Sequence, residues 1–186
     1  MIDEEADTSS ELIRRWLTEC VLALDLCPFA SPVVRDDSLR IAISQARDPD
    51  SCLRDFLAEL DLIQSSPEQE LSTTLLAYQH ALGDFTDYLE LLDQAQEMLE
   101  RAALDDQFQL ASFHPLYLFE GEDTGALSNY TNRSPLPVIH IIRANMVSRA
   151  LANYPDPEQI PQRNIERLEA LGREHVETLW EQLQKL

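Results

Sequence analysis

The chain has 186 residues, of which 44% are hydrophobic, and a formal net charge of −20 at pH 7. This length is enough for one domain with its own core. So acidic a surface repels nucleic-acid phosphates and anionic lipids. The sequence contains no basic patch with interleaved aromatic residues. No apolar run approaches the ~18 residues of a membrane span. The acidic N-terminus lacks the signal-peptide pattern, and three cysteines do not indicate a disulfide framework. We therefore expect a cytoplasmic protein with neither a nucleic-acid nor a membrane partner.

The first predicted elements are a helix, an irregular segment and a strand. Residues 8–25 predict an amphipathic helix, which must end near Asp25 because Pro28 follows. Pro32 favours an irregular segment after it. Residues 39–45 alternate apolar and polar side chains and predict a short strand.

Two helices and two further strands follow in alternation. Residues 48–64 predict a helix with Asp48 as N-cap, and residues 71–78 predict a second strand. Asp84 caps a helix that extends to about residue 102, and residues 108–113 predict a third strand. Two successive β–α–β units indicate an α/β fold with a small parallel three-stranded sheet between helices.

The last third of the chain contains a long loop and C-terminal helices. Residues 115–136 predict an ordered, functional loop. Residues 137–153 could form a strand and then a helix, but we favour one helix from Pro137 to Asn153. The last helix spans about residues 157–184 and is bent near Pro161 or Gly172. The predicted class is thus α/β, in a single domain of residues 1–186, with room for a fourth strand in the sheet.

A candidate catalytic pair comes from the histidines of this last third. Ligands bind beyond the carboxyl ends of parallel strands, where His114 is expected. His140 falls in the first turns of the favoured helix. Imidazole titrates near neutral pH, so His114 and His140 are candidate general acids or bases. The alternative is that each histidine only packs or ties down its neighbours.

An anion-binding site is predicted next to these histidines. No Asp or Glu occurs from Thr124 to Pro155, whereas arginines do. We expect Arg133, Arg143 and the N-terminus of the helix at Pro137 to hold a phosphate or carboxylate. Three further polar residues would orient the ligand, unless they only hold the loop: Asn129, Asn132 and Ser134. If residues 137–142 form a strand instead, His140 and Arg143 point to opposite faces and this site fails.

Cys27 and a metal site are weaker candidates. Cys27 follows a helix C-terminus, where the dipole disfavours a thiolate, so a buried structural role competes with that of a nucleophile. His114, His140 and an acid of the loop (Glu120, Glu122 or Asp123) could in principle ligate a metal. No tight ligand spacing supports it, and we predict no metal. Since no phosphate-binding or dinucleotide motif is present, no cofactor can be named.

Several motifs occur in a fixed order along nearly the whole chain. They are Cys27–Pro28–Phe29–Ala30, Ala111–Ser112–Phe113–His114–Pro115, Asn129–Tyr130–Thr131–Asn132–Arg133–Ser134–Pro135 and His140–x–x–Arg143. In these the sequence resembles an uncharacterised bacterial family classed as a domain of unknown function. The resemblance implies a small soluble bacterial protein and brings no activity, cofactor or fold. One departure is Glu120, where a small residue is expected.

Three functions compete on this basis. The first is an enzyme acting on a small anionic metabolite. The second is a non-catalytic ligand-binding or regulatory module with the same site. The third is an acidic scaffold that binds a protein partner through apolar residues of its C-terminal helices: Leu168, Leu171, Leu179 and Trp180.

Overall fold

The computed structural model describes residues 2–152 and 154–184 and contains helices on both faces of a four-stranded sheet. None of the helices in these ranges is long and apolar enough to cross a membrane. The elements in chain order are α1 (Ile2–Trp16), which continues as a π-helix (Leu17–Leu22), α2 (Ala30–Arg35), β1 (Leu39–Ser44), α3 (Pro49–Ser65), β2 (Thr73–Tyr78), α4 (Phe85–Arg101), β3 (Phe108–Phe113), a 3₁₀ turn (Leu127–Thr131), β4 (Val138–Arg143), α5 (Ala144–Leu151), a 3₁₀ turn (Pro157–Gln159), α6 (Ile160–Leu171) and α7 (Arg173–Leu183).

The sheet has the strand order β1-β2-β4-β3. Strands β1 and β2 are parallel, and β4 pairs antiparallel with both β2 and β3. The three predicted strands therefore run in one direction, with their carboxyl ends at one edge. The α/β class is confirmed, and the sheet differs in detail because a fourth strand lies antiparallel between β2 and β3.

That fourth strand corrects the helix predicted over residues 137–153. Residues 138–143 form β4, and only Ala144–Leu151 is helical. The run contains four β-branched residues (Val138, Ile139, Ile141 and Ile142), which pack well between two strands. The N–H of Tyr78 also bonds to the carbonyl of Pro137, which pairs the start of β4 with β2. Asn153, the predicted helix end, lies outside the described residues.

Local signals set the ends of the central helices. The Asp48 carboxylate accepts a hydrogen bond from the N–H of Ser51 and begins α3, while Asp84 accepts from Thr86 and Asp87 and begins α4. The prediction of an irregular segment at Pro32 is wrong. Helix α2 spans it because a proline in the first turn needs no N–H partner.

Each face of the sheet carries its own core. Helices α3 and α4 pack on one face, against side chains such as Leu76, Ile139 and Ile141. The π-helix and α7 pack on the other face, which presents Leu75, Val138 and their neighbours. Alternation along β4 sends successive side chains to opposite cores, so each position in that strand belongs to one face only.

The C-terminal helices brace the first helical segment. Instead of the single helix predicted over residues 157–184, a 3₁₀ turn is followed by two helices, which divide at Gly172, one of the two predicted break points. The φ of 83° at Gly172 suits a residue without a side chain. The Asn164 amide donates to the carbonyl of Leu26 and the Arg167 guanidinium to that of Leu24. These bonds satisfy carbonyls where the first helical segment ends, near Asp25 as predicted.

Candidate functional site

The predicted anion site is not formed, because residues 138–143 are a strand. His140 lies on the face that carries the π-helix, whereas Arg143 lies on the face that carries α3. The Arg143 guanidinium donates to the carbonyls of Ile63, Ser66 and Leu71, at 2.6, 2.7 and 3.1 Å. It thus satisfies carbonyls at the C-terminal end of α3 and in the segment that leads into β2.

Arg133 lies in the long loop and is engaged there. Its Nη2 donates to the carbonyl of Thr124 at 3.0 Å, and its guanidinium stacks on the Tyr130 ring at 4.1 Å. Its own carbonyl accepts the indole N–H of Trp16 at 3.0 Å. Arg133 and Arg143 do not share a site.

The predicted polar ligands hold the long loop together. Fully buried Asn129 accepts from the N–H of Phe119 and donates to the carbonyl of Asp123. Asn132 donates to the carbonyl of Ser112, and Ser134 donates to that of Leu136. These bonds hold the loop in place, as Asn and Ser side chains often do in turns.

His114 is fully buried, and the backbone occupies both of its ring nitrogens. Nε2 lies 2.8 Å from the carbonyl of Leu82, which can only accept, so Nε2 carries the proton. Nδ1 then accepts the N–H of Leu116 at 3.0 Å. Burial lowers the pKa of His114, which keeps it in this neutral form. The geometry leaves no nitrogen for proton transfer to a ligand.

His140 has a different environment on the opposite face of the sheet. Its Nε2 lies 2.6 Å from Oγ1 of Thr73, and burial lowers its pKa to about 4. His114 and His140 therefore do not form one catalytic pair. Nor do they form a metal site with an acid of the loop, since among the described residues no group of three or more potential ligands lies close enough to hold a metal ion.

An apolar cavity of about 230 Å³ lies beside His140. Its wall is the sheet on one side and the helical segments of the N-terminal region on the other. The π-helix faces it, and such wide turns often occur at functional sites. The lining side chains include Trp16, Leu17, Val21, Cys27, Phe29, Val33, Thr73, Leu75, Phe113, His140 and Met146.

Cys27 contributes to this cavity as a thiol. Burial raises its pKa, although the backbone N–H groups of Phe29 and Ala30 act in the opposite direction. At neutral pH the group is therefore protonated, which makes it a weak nucleophile and a small apolar surface. The structure favours the buried role over the nucleophilic one.

Sequence reasoning missed most of the cavity. Trp16 and Phe113 match ordinary core positions, and Thr73 matches a strand residue. The signals that could have indicated the site are the tryptophan within an aliphatic stripe and the Cys27–Pro28–Phe29–Ala30 motif. Neither signal reports that these residues surround a space.

The fold and this site define an α/β protein with an apolar cavity on one face of a mixed sheet. The chain belongs to the family described as protein of unknown function (DUF1415), whose model matches residues 8–178. Comparisons with curated proteins and with solved structures gave no significant match.

Proposed function

We propose that this protein is a small-molecule-binding module whose cavity holds a largely apolar ligand. The observation that carries the proposal is the cavity itself, at about 230 Å³ with an almost wholly apolar lining. An apolar cavity of ~150 Å³ is sufficient to bind benzene. The ligand would therefore be somewhat larger, on the scale of a substituted benzene ring or a short branched chain.

The energetics of packing support an occupant. The cavity is partly open to solvent, so its apolar walls contact water when no ligand is bound. Removing apolar surface from water is favourable. A ligand that covers these walls would therefore gain binding free energy from their burial.

The chemistry of the lining supports binding rather than turnover. Cys27 is a thiol at neutral pH, and His140 is neutral and in contact with Thr73. A covalent mechanism needs an activated nucleophile beside a base. The shared anion site of Arg133 and Arg143, on which our prediction of an enzyme for an anionic metabolite rested, is not formed. An enzymatic reaction of this protein stays a prediction.

Location and partners are part of the same proposal. We place the protein in the cytoplasm, where its three free cysteines would stay reduced. Its charge of −20 supports a role without nucleic acid or anionic membranes. Of the four residues of the scaffold hypothesis, Leu168, Leu179 and Trp180 pack against the chain itself, whereas Leu171 is exposed, so little of that apolar surface is left for a protein partner.

Titration calorimetry with 4-ethyltoluene tests the proposal. We expect saturable binding to the wild type, and its loss in Ala111→Leu, because the larger side chain enters the cavity from β3. Leu89→Ala, which trims an exposed leucine of α4, is the matched control and should bind normally. Equal binding by Ala111→Leu and the wild type would refute the proposal.

A further inference from the structure

The cavity contains one polar group that can discriminate between apolar ligands. Besides Cys27, the polar residues of its lining are Thr73 and His140, and the indole N–H of Trp16 is already bonded to the carbonyl of Arg133. Within residues 2–152 and 154–184, no lysine or arginine lines the cavity. The positions of the Thr73 hydroxyl hydrogen and of the His140 ring proton therefore decide which polar groups of a ligand can form a hydrogen bond in the cavity.

The Thr73 hydroxyl has a single hydrogen and two close neighbours. Its Oγ1 lies 2.8 Å from the carbonyl of Ile141, which can only accept, so the hydrogen is directed there. The 2.6 Å contact with His140 must then be a hydrogen bond from Nε2–H to Thr73 Oγ1. This arrangement fixes the tautomer of His140, with the proton on Nε2.

The second ring nitrogen of His140 follows from this tautomer. Because burial keeps the ring neutral, Nδ1 holds a lone pair and acts as an acceptor. Among the described residues it has no hydrogen-bond partner, unlike Nδ1 of His114, which accepts the N–H of Leu116. His140 is only partly buried, and its Nδ1 is not among the fully buried polar atoms that lack a partner, so this acceptor remains accessible. A ligand donor that reaches it would form a favourable hydrogen bond.

We propose that the ligand is an apolar molecule with a single O–H or N–H donor, such as a phenol or an alcohol, and that His140 Nδ1 accepts this donor. The inference rests on the proposed binding function and names its ligand class. A carboxylate or phosphate is disfavoured, because burying a charge without a cationic partner is expensive and the lining supplies none. Specificity would come from one hydrogen bond within an apolar enclosure.

A thermodynamic cycle of two ligands, 4-ethylphenol and 4-ethyltoluene, and two proteins, the wild type and one His140 variant, tests this assignment. The two molecules are nearly the same size and differ by a hydroxyl in place of a methyl group. Dissociation constants are measured for both with wild type and with His140→Phe, which keeps a ring but removes its nitrogens. We expect the preference for the phenol over the toluene to fall about tenfold in the variant, as for the loss of one hydrogen bond.

Nitrogen NMR of the wild type gives a second measurement if His140→Phe does not fold. We expect the Nδ1 resonance of His140 to shift with 4-ethylphenol and not with 4-ethyltoluene. An unchanged preference for the phenol in the variant, or no shift of the Nδ1 resonance, overturns the inference about the ligand class. In that case, binding of 4-ethyltoluene by the wild type would still support the proposed binding function. Failure of both ligands to bind overturns both.

Discussion

The hydroxyl oxygen of Thr73 lies 2.6 Å from Nε2 of His140, and this contact joins β2 to β4 on the face of the sheet that carries the cavity. The ring is neutral because burial disfavours its charged form. The same contact therefore connects the pairing of β2 with β4, the protonation of His140 and the ligand recognition that we propose.

Stability should depend on pH through His140. Its pKa falls from 6.5 in the unfolded chain to about 4 in the fold, so the unfolded state binds more protons between these values. The free energy of unfolding should therefore be at its full value above pH 6.5 and decrease by about 3 kcal/mol as the pH falls to about 4.

Urea unfolding at several pH values measures this loss in the wild type and in His140→Phe. The pKa of His114 is lowered too and remains in both proteins, so the difference between their profiles isolates His140. The carboxyl pKa values of Asp48 and Asp84 are lowered, so these residues lose their contribution to stability only below the pH range in which His140 acts. Parallel profiles would show that His140 is not held neutral.

Arg143→Ala should lower stability and leave ligand binding intact. The change removes two hydrogen bonds to the carbonyls of Ile63 and Ser66 at the end of α3 and one to that of Leu71 before β2, and we expect a loss of about 2–4 kcal/mol. Arg149→Ala is the control, since that exposed side chain pairs only with Glu68 and should matter by less than ~1 kcal/mol. Similar unfolding midpoints for both variants would contradict the structural role.

Asn129→Ala should loosen the long loop. The buried Asn129 amide accepts a hydrogen bond from the N–H of Phe119 and donates one to the carbonyl of Asp123. We therefore expect a loss of about 2 kcal/mol and faster amide exchange over residues 115–128. Asn145→Ala, which changes an exposed asparagine in α5, should have little effect on either quantity. Unchanged exchange in Asn129→Ala would mean that other contacts hold the loop.

Ala103→Gly should stabilise the protein. Ala103 follows α4 with φ of 53°, and the bonds from Ala103 to Glu100 and from Leu104 to Leu99 form a Schellman motif. Glycine adopts this conformation without the steric penalty of a side chain, so we expect a gain of about 0.5–1 kcal/mol. Ala102→Gly, one residue earlier with φ of −83°, should be destabilising in the same thermal unfolding experiment.

Much of the fold follows from local signals in the sequence. Asp48 and Asp84 mark helix starts that depend on their own side chains, and the alternation in residues 39–45 marks a strand that the structure reproduces. Residues 137–142 carry conflicting signals, because their β-branched residues favour a strand whereas Pro137 also suits the start of a helix. Pairing with β2 and β3, which are distant in sequence, decides between the two.

The site was less accessible to sequence reasoning for a related reason. The polar run from Asn129 to Ser134 resembles a ligand site, yet its side chains serve the loop. The cavity instead combines Trp16, Cys27 and His140, which come from three distant segments. A space between side chains is a property of packing, and no single segment encodes it.

The most direct measurement is a set of intermolecular nuclear Overhauser effects between 4-ethyltoluene and the wild-type protein. We predict contacts from the ligand to the Met146 methyl group and to the Leu75 and Val33 methyl groups, which line the cavity. Contacts confined to exposed leucines such as Leu116 and Leu118 would place the ligand on the surface and contradict a binding function for the cavity.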